Sequence, residues 1–174
     1  MLVSLKEMLK DAYTNKYAIG AFNCLSLENV VGAISAAEEL HSPIIIQLAE
    51  VQFPCAPIAL MAPLYLNAAK AASVPVAVHL DHGQSIETCI QAMRLGFGSV
   101  MYDGASLPFA ENVRITREVV RIANAFGVDV EAELGKVGNA DSSENKKNPD
   151  VYTGVQESLL FIQRTGIDAL AIAI

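Results

Sequence analysis

Val76-Ala77-Val78-His79-Leu80-Asp81-His82-Gly83 is a short apolar run that ends on ionisable side chains and a glycine. With Pro75 before it, the run reads as a strand over Pro75–Asp81. Apolar residues fill nearly every position instead of every second one, as in a parallel strand covered on both faces. Consecutive residues of a regular strand point to opposite faces. Asp81 and His82 therefore reach one site only if His82 lies just past the strand end, and Gly83 permits a turn there.

Short β-rich runs recur on both sides, several of them nearly continuous in apolar residues. Tyr17–Asn23, Pro43–Ala49, Ser99–Gly104, Asp129–Gly135 and Ala169–Ile174 read as strands. Helical patterns lie between them at Leu27–Leu40, Pro57–Ala72, Ser85–Leu95, Phe109–Phe126 and Gly154–Thr165. Ser26 with Asn29 and Ser85 with Thr88 stand where helix starts are expected. This alternation predicts a parallel α/β fold in one domain over residues 1–174. Polar residues gather at the strand carboxyl ends: Asn23, Glu50, Asp81 with His82, Asp103 and Glu133. Barrels and open α/β sheets both place their sites there. No Gly-x-Gly-x-x-Gly turn follows the first strand. Gly135-Lys136-Val137-Gly138 lacks the third glycine and a following helix, so a (β/α)8 barrel is favoured over a dinucleotide-binding sheet.

The chain of 174 residues is long enough to bury a core, and 52% of it is hydrophobic against 18% charged. That balance predicts a folded interior. The net charge of −7 argues against a nucleic-acid backbone or an anionic membrane as partner. It leaves room for a phosphorylated small molecule in a locally basic or amide-lined pocket. Cys24, Cys55 and Cys89 are odd in number and widely spaced, which suggests neither a disulfide framework nor a thiolate zinc site. The start, Met1 to Lys10, is amphipathic and lacks a signal-peptide core. No apolar run reaches the length of a membrane span. A reducing cytoplasm is the expected compartment.

Several side chains could carry chemistry. A neutral imidazole at His82 suits zinc, and the neighbouring Asp81 suits proton transfer. A strand-end Asp that merely caps the helix near Ser85 fits the spacing equally well. His79 shares the face of Asp81 and reads better as a hydrogen-bonded core or supporting histidine than as a ligand. His41, at a helix end, reads as structural. Asp103 and Glu133 both end apolar strands, and burying such carboxylates is costly unless they are paired, hydrogen-bonded or bound to metal. Two of them at one barrel mouth suggest a cation; bonding to loop amides is the competing reading. Glu131 shares the face of Glu133 as support. Lys136 to Tyr152 is polar and aperiodic, and its place after a strand end suggests a mobile active-site loop over an ordinary solvated one.

Taken together, these segments resemble the class II, zinc-dependent, fructose-bisphosphate/tagatose-bisphosphate aldolases. The resemblance is carried by Tyr17–Asn23, Val76–Gly83, Ser99–Gly104, Val130–Gly135 and Thr165–Ile174, in the family's order and over essentially the whole chain. It implies a TIM barrel that assembles as dimers or larger homo-oligomers. It also implies reversible aldol cleavage of a phosphorylated ketose to dihydroxyacetone phosphate, or an analogue, and an aldehyde. By the same resemblance His82 is one of three histidine ligands to a catalytic zinc, and Asp81 is the general acid/base. Asp103 and Glu133 match a second, more buried divalent-metal site, and Asn23 is similar to a substrate-contacting position.

Three departures from the family stand out. Gln47-Leu48-Ala49-Glu50 lacks the usual serine of the second strand. Gly138-Asn139-Ala140-Asp141 replaces Gly-Gly-x-Glu in the loop, which leaves Asp141 as the shorter acid at the proton-shuttling position. The Gly-x-x-His-Gly motif expected after the last strand is absent. A complete eight-unit barrel takes about 250 residues, so two strands and their helices are expected beyond these six. Two further readings stand beside the aldolase. One is a catalytically incomplete fragment or degenerate paralogue that keeps only the fold; the other is a different TIM-barrel enzyme that uses Asp and Glu with magnesium.

Overall fold

A computed structural model of the chain describes residues 1–135 and 153–173. The first helix, α1 (Leu5–Asn15), is capped by Ser4, whose side chain accepts from the Glu7 amide. Five βα units and a sixth strand follow. They comprise β1 (Gly20–Asn23), α2 (Leu27–Glu39), β2 (Ile44–Ala49), α3 (Ile58–Ala71), β3 (Val76–Gly83) and α4 (Ile86–Arg94), then β4 (Ser99–Tyr102), α5 (Phe109–Phe126), β5 (Asp129–Leu134), α6 (Val155–Thr165) and β6 (Ala169–Ile172). A single 3-10 turn, Glu50–Gln52, follows β2. The helix starts expected at Ser26 and Ser85 are real, because each serine accepts the backbone N–H three residues on.

All six strands are parallel and pair in chain order. Inward residues from every strand, Ala21, Ile45, His79, Met101, Glu131 and Ala169 among them, line one interior cavity, so the sheet is curled as part of a barrel. The fold expected from the alternating pattern is therefore present: an α/β half-barrel of six strands.

The strand alternation explains what lies where. Ile46, Leu48, Val78, Leu80, Val100 and Val130 face the helices and are at most 1% exposed. They form one continuous core with α2 to α6. The opposite face is smaller and more polar. At its amino-terminal end Leu5 and Met8 of α1 pack on Ile45 and Ala77. Ser4 donates to Asp129 and Lys6 pairs with Asp168 at 2.9 Å, which ties α1 across that end. The carboxyl-terminal end stays open to polar groups.

One local expectation needs correction. β3 does not stop at Asp81; it runs through Gly83, with a register shift against β4 between Leu80 and Gly83. The change of direction occurs at His82, which takes a left-handed φ of 44°. The bulge, not a turn at Gly83, brings Asp81 and His82 to the same side. Gly83 is required for a different reason: a Cβ there would lie 2.8 Å from the carbonyl oxygen of Met101 and 3.2 Å from Sγ of Cys89.

Candidate metal and acid/base site

The bulge of β3 aims the His82 ring at two neighbouring strand ends. Nδ1 lies 2.9 Å from Oδ2 of Asp103 and 3.6 Å from Oε2 of Glu133. On its other side Nε2 is 3.9 Å from Oδ1 of Asp81. Asp103 follows β4 and is anchored by its own amide, which donates to the Gly83 carbonyl at 2.9 Å. Glu133, in β5, is only 4% exposed. His82, Asp103 and Glu133 each offer one ligand atom, and these atoms all lie within 4.8 Å of one another. One imidazole and two carboxylates at that spacing suit a divalent cation.

Asp81 stands apart from that triad, facing an amide network. Asn23 donates from Nδ2 to Asp81 Oδ2 at 2.9 Å and to Gln52 Oε1 at 3.3 Å. Gln47 donates from Nε2 to Asn23 Oδ1 at 3.1 Å. The order of donors is forced. A carboxylate only accepts, so Asn23 must present its NH2 to Asp81, its oxygen must face Gln47, and Gln47 must donate. Gln52 is set independently, since its Oε1 also accepts the Ala49 amide at 3.0 Å. Below this layer His79 is 2% exposed and its Nδ1 meets Ser99 Oγ at 2.9 Å. Its Nε2 lies 3.3 Å from Glu131 Oε2, at an angle that makes no hydrogen bond. Gln47, His79, Asp81, His82, Glu131 and Glu133 line a cavity of about 420 Å³ inside the sheet.

This frame of ionisable side chains at successive strand ends agrees with sequence relationships. A sequence model described as "Fructose-bisphosphate aldolase class-II" matches residues 3–174. The chain belongs to the class II fructose-bisphosphate aldolase family. It is 41% identical over 174 residues to a fructose-bisphosphate aldolase of Giardia intestinalis, covering 99% of this chain and 53% of that protein. It is 44% identical over 186 residues to the fructose-bisphosphate aldolase of Geobacillus stearothermophilus, covering 99% of this chain and 61% of that one. The crystal structure of the YdjI aldolase from Escherichia coli K12 superposes with a TM-score of 0.89 at 35% identity, covering 100% of this chain and 61% of YdjI. The chain thus spans between about half and two thirds of the length of these relatives.

Electrostatics at the triad follow from its crowding. His82 has its pKa pushed up to about 9, first by the hydrogen bond to Asp103 and then, against some desolvation, by the charges of Asp81 and Glu133. Asp103 is held below the usual carboxylate range by the same hydrogen bond. Glu133 is pushed up to about 7 by burial first and by the Asp103 charge second. Without a metal the triad therefore holds a proton where a cation would sit.

The expected site residues do not all converge. Asp81, His82, Asp103 and Glu133 come together, and Asn23 joins them through Asp81. Asp141 and the expected loop over residues 136–152 lie outside the described residues. Glu50 turns the other way: its carboxylate accepts from the Gln84 amide at 2.7 Å and from Thr88 Oγ1 at 3.0 Å, which fastens β2 to the start of α4. Gln47 and Gln52 were not singled out from sequence as partners of Asn23. The signal for Gln47 was present, because it is two residues before Ala49 and so shares the inward face. No helix among the described residues is long and apolar enough to cross a membrane.

Proposed function

We propose that this chain carries the amino-terminal part of an enzyme that cleaves a phosphorylated ketose reversibly to a triose-phosphate ketone and an aldehyde. The observation that carries the reading is the juxtaposition of Asp81 with the His82–Asp103–Glu133 triad at the carboxyl ends of adjacent barrel strands. In the direction of cleavage Asp81 accepts the proton of the carbinol hydroxyl. The carbon–carbon bond beside it breaks, the carbinol becomes the aldehyde, and the electron pair passes to the carbon next to the ketone, which then takes up a proton, the transfer proposed for Asp141, to give the ketone product. In condensation Asp81 returns the proton. Asn23 keeps one carboxylate oxygen engaged, which leaves the other, Oδ1, directed toward His82.

The triad's donor set fits a divalent ion, and zinc is the ion proposed, held by His82 with Asp103 and Glu133 available to a second one. When bound, zinc would supply Lewis-acid polarisation of the ketose carbonyl. Fructose-bisphosphate, tagatose-bisphosphate and a deoxy-ketogluconate phosphate are the substrates of this class to compare. Asp141 is the proposed proton shuttle from the loop over residues 136–152. The complete enzyme is proposed to work in the cytoplasm as a homodimer or larger homo-oligomer; Cys24, Cys55 and Cys89 of this chain are unpaired thiols, in keeping with a reducing compartment.

A second reading, a fold-bearing segment without activity of its own, is favoured by a single histidine in the triad and by the share of the relatives that is spanned. A catalytic zinc site takes three protein ligands and an open position. The 174-residue chain and a polypeptide extended to a complete barrel should be assayed side by side for ketose-bisphosphate cleavage with added zinc. Chelator-sensitive turnover by the extended polypeptide alone is the expected result. Turnover by neither would remove the aldolase reading.

A further inference from the structure

Pairing between β4 and β5 ends at Tyr102 and Ala132, one residue short of both Asp103 and Glu133. On that side the sheet ladder does not set the distance between the two carboxylates. A buried amide lies behind the gap. Asn112, in the first turn of α5, is 1% exposed. Its Nδ2 donates to the main-chain oxygen of Glu133 at 3.0 Å. Its Oδ1 accepts from Thr116 Oγ1, one turn further on, at 3.0 Å. On the opposite side Asn112 presses on Gly104, where a Cβ would come within 2.3 Å of Oδ1 and 2.7 Å of Cγ. One side chain thus touches the backbone beside each carboxylate.

We propose that Asn112 is a positioning residue that holds Glu133 and Asp103 at the separation a divalent cation requires, with Thr116 orienting its amide and Gly104 making room for it. The inference rests on reading His82, Asp103 and Glu133 as a metal site. The direction of the amide is forced, since the Glu133 carbonyl only accepts and the Thr116 hydroxyl can donate. Burying an amide costs free energy unless its polar atoms are hydrogen-bonded, and the two polar atoms of Asn112 are both partnered. Anchoring of α5 does not need it: Val113, Val119 and Ala123 already pack in the core. What the amide adds is direction. Fixing the Glu133 carbonyl fixes the peptide plane and with it the line along which the carboxylate leaves the strand.

The test uses the polypeptide extended to a complete barrel, as parent, and its variants Asn112→Ala, Thr116→Val and Thr116→Ser. Zn²⁺ and Co²⁺ are titrated by calorimetry, with the Co²⁺ absorption spectrum as a measure of coordination geometry. Thermal unfolding without metal is recorded for each, and binding is measured well below the lowest midpoint. Partners that orient metal ligands typically change affinity by roughly 10–100-fold. Asn112→Ala and Thr116→Val should weaken binding by about that factor and alter the Co²⁺ spectrum. Thr116→Ser, which keeps the hydroxyl, should retain parental affinity and spectrum. If Asn112→Ala fails to fold, Thr116→Val, nearly the same shape as threonine, still decides the matter. Parental affinity in Thr116→Val would overturn the positioning role even if its midpoint falls. Absence of binding by the parent chain would overturn the metal-site reading itself, and this inference with it.

Discussion

Asn23 donates from Nδ2 to Oδ2 of Asp81 at 2.9 Å across β2, from a strand that does not pair with β3. The contact exists because Asn23 pairs in register with Gln47, and Ala49, two residues on, pairs with Asp81. Asp81 is thus held by a neutral donor on one oxygen, with the other turned toward His82.

Asp81→Ala in a complete barrel should retain its divalent metal and lose most cleavage activity. Groups that transfer protons in the transition state contribute on the order of 10²–10⁴-fold. Metal content and turnover measured on the same preparation check this. Equal turnover in variant and parent would remove Asp81 from the chemistry.

Gln47→Met should lower kcat more than it changes KM, with metal content unaltered. The variant removes the only side-chain donor found for Asn23 Oδ1 among the described residues, so the amide is free to turn its oxygen toward Asp81. A hydrogen bond of this kind is worth about 0.5–1.5 kcal/mol, or roughly 2–12-fold in rate. Steady-state kinetics decide it, and an unchanged kcat would mean the relay has no part in holding Asp81.

Metal-free stability should fall as pH rises from about 4.5 to about 9, Glu133 accounting for the lower part of that range and His82 for the upper. The folded-state pKa of His82 is raised from 6.5 to about 9 and that of Glu133 from 4.5 to about 7. Both groups bind protons more tightly when folded. Their contributions are complete below the unfolded values and are lost as pH climbs through the folded ones. Asp103 behaves oppositely, since its lowered pKa yields stability that is lost only in acid. A divalent ion needs the deprotonated ligands, so the rise in Tm on adding it should grow over the same interval. A metal-free Tm that stays level or rises across that range would contradict the assignment.

Gly83→Ala should destabilise the chain by about 1–3 kcal/mol, the usual cost of forcing atoms into a packed site. The new methyl group would meet the Met101 carbonyl, a main-chain atom that cannot swing aside. Displacing β4 there would also move Asp103, whose amide bonds to the Gly83 carbonyl. Thermal unfolding with parallel zinc titration tests both effects. A parental midpoint together with parental zinc affinity would show that the backbone accommodates the methyl group freely.

Periodicity along the sequence determined the elements and their order. Apolar runs such as Val76–Leu80 and Ile44–Ala49 are legible because a strand covered on both faces needs apolar residues at nearly every position. Serine caps are legible because the donor they satisfy is three residues away. The carboxyl-end cluster was legible for the same reason: Asp81, His82, Asp103 and Glu133 each end a run, and parallel strands bring such ends together. What the tertiary structure alone decided were relations between residues far apart in the chain. The bulge at His82 depends on how β3 meets β4, and the Gln47–Asn23–Asp81 order depends on which amide faces a group that can only accept. The support of Glu133 by Asn112 joins a helix to the strand after it through one side chain and one carbonyl. No local propensity encodes these contacts, because their partners become neighbours only once the sheet has curled and the helices have packed against it.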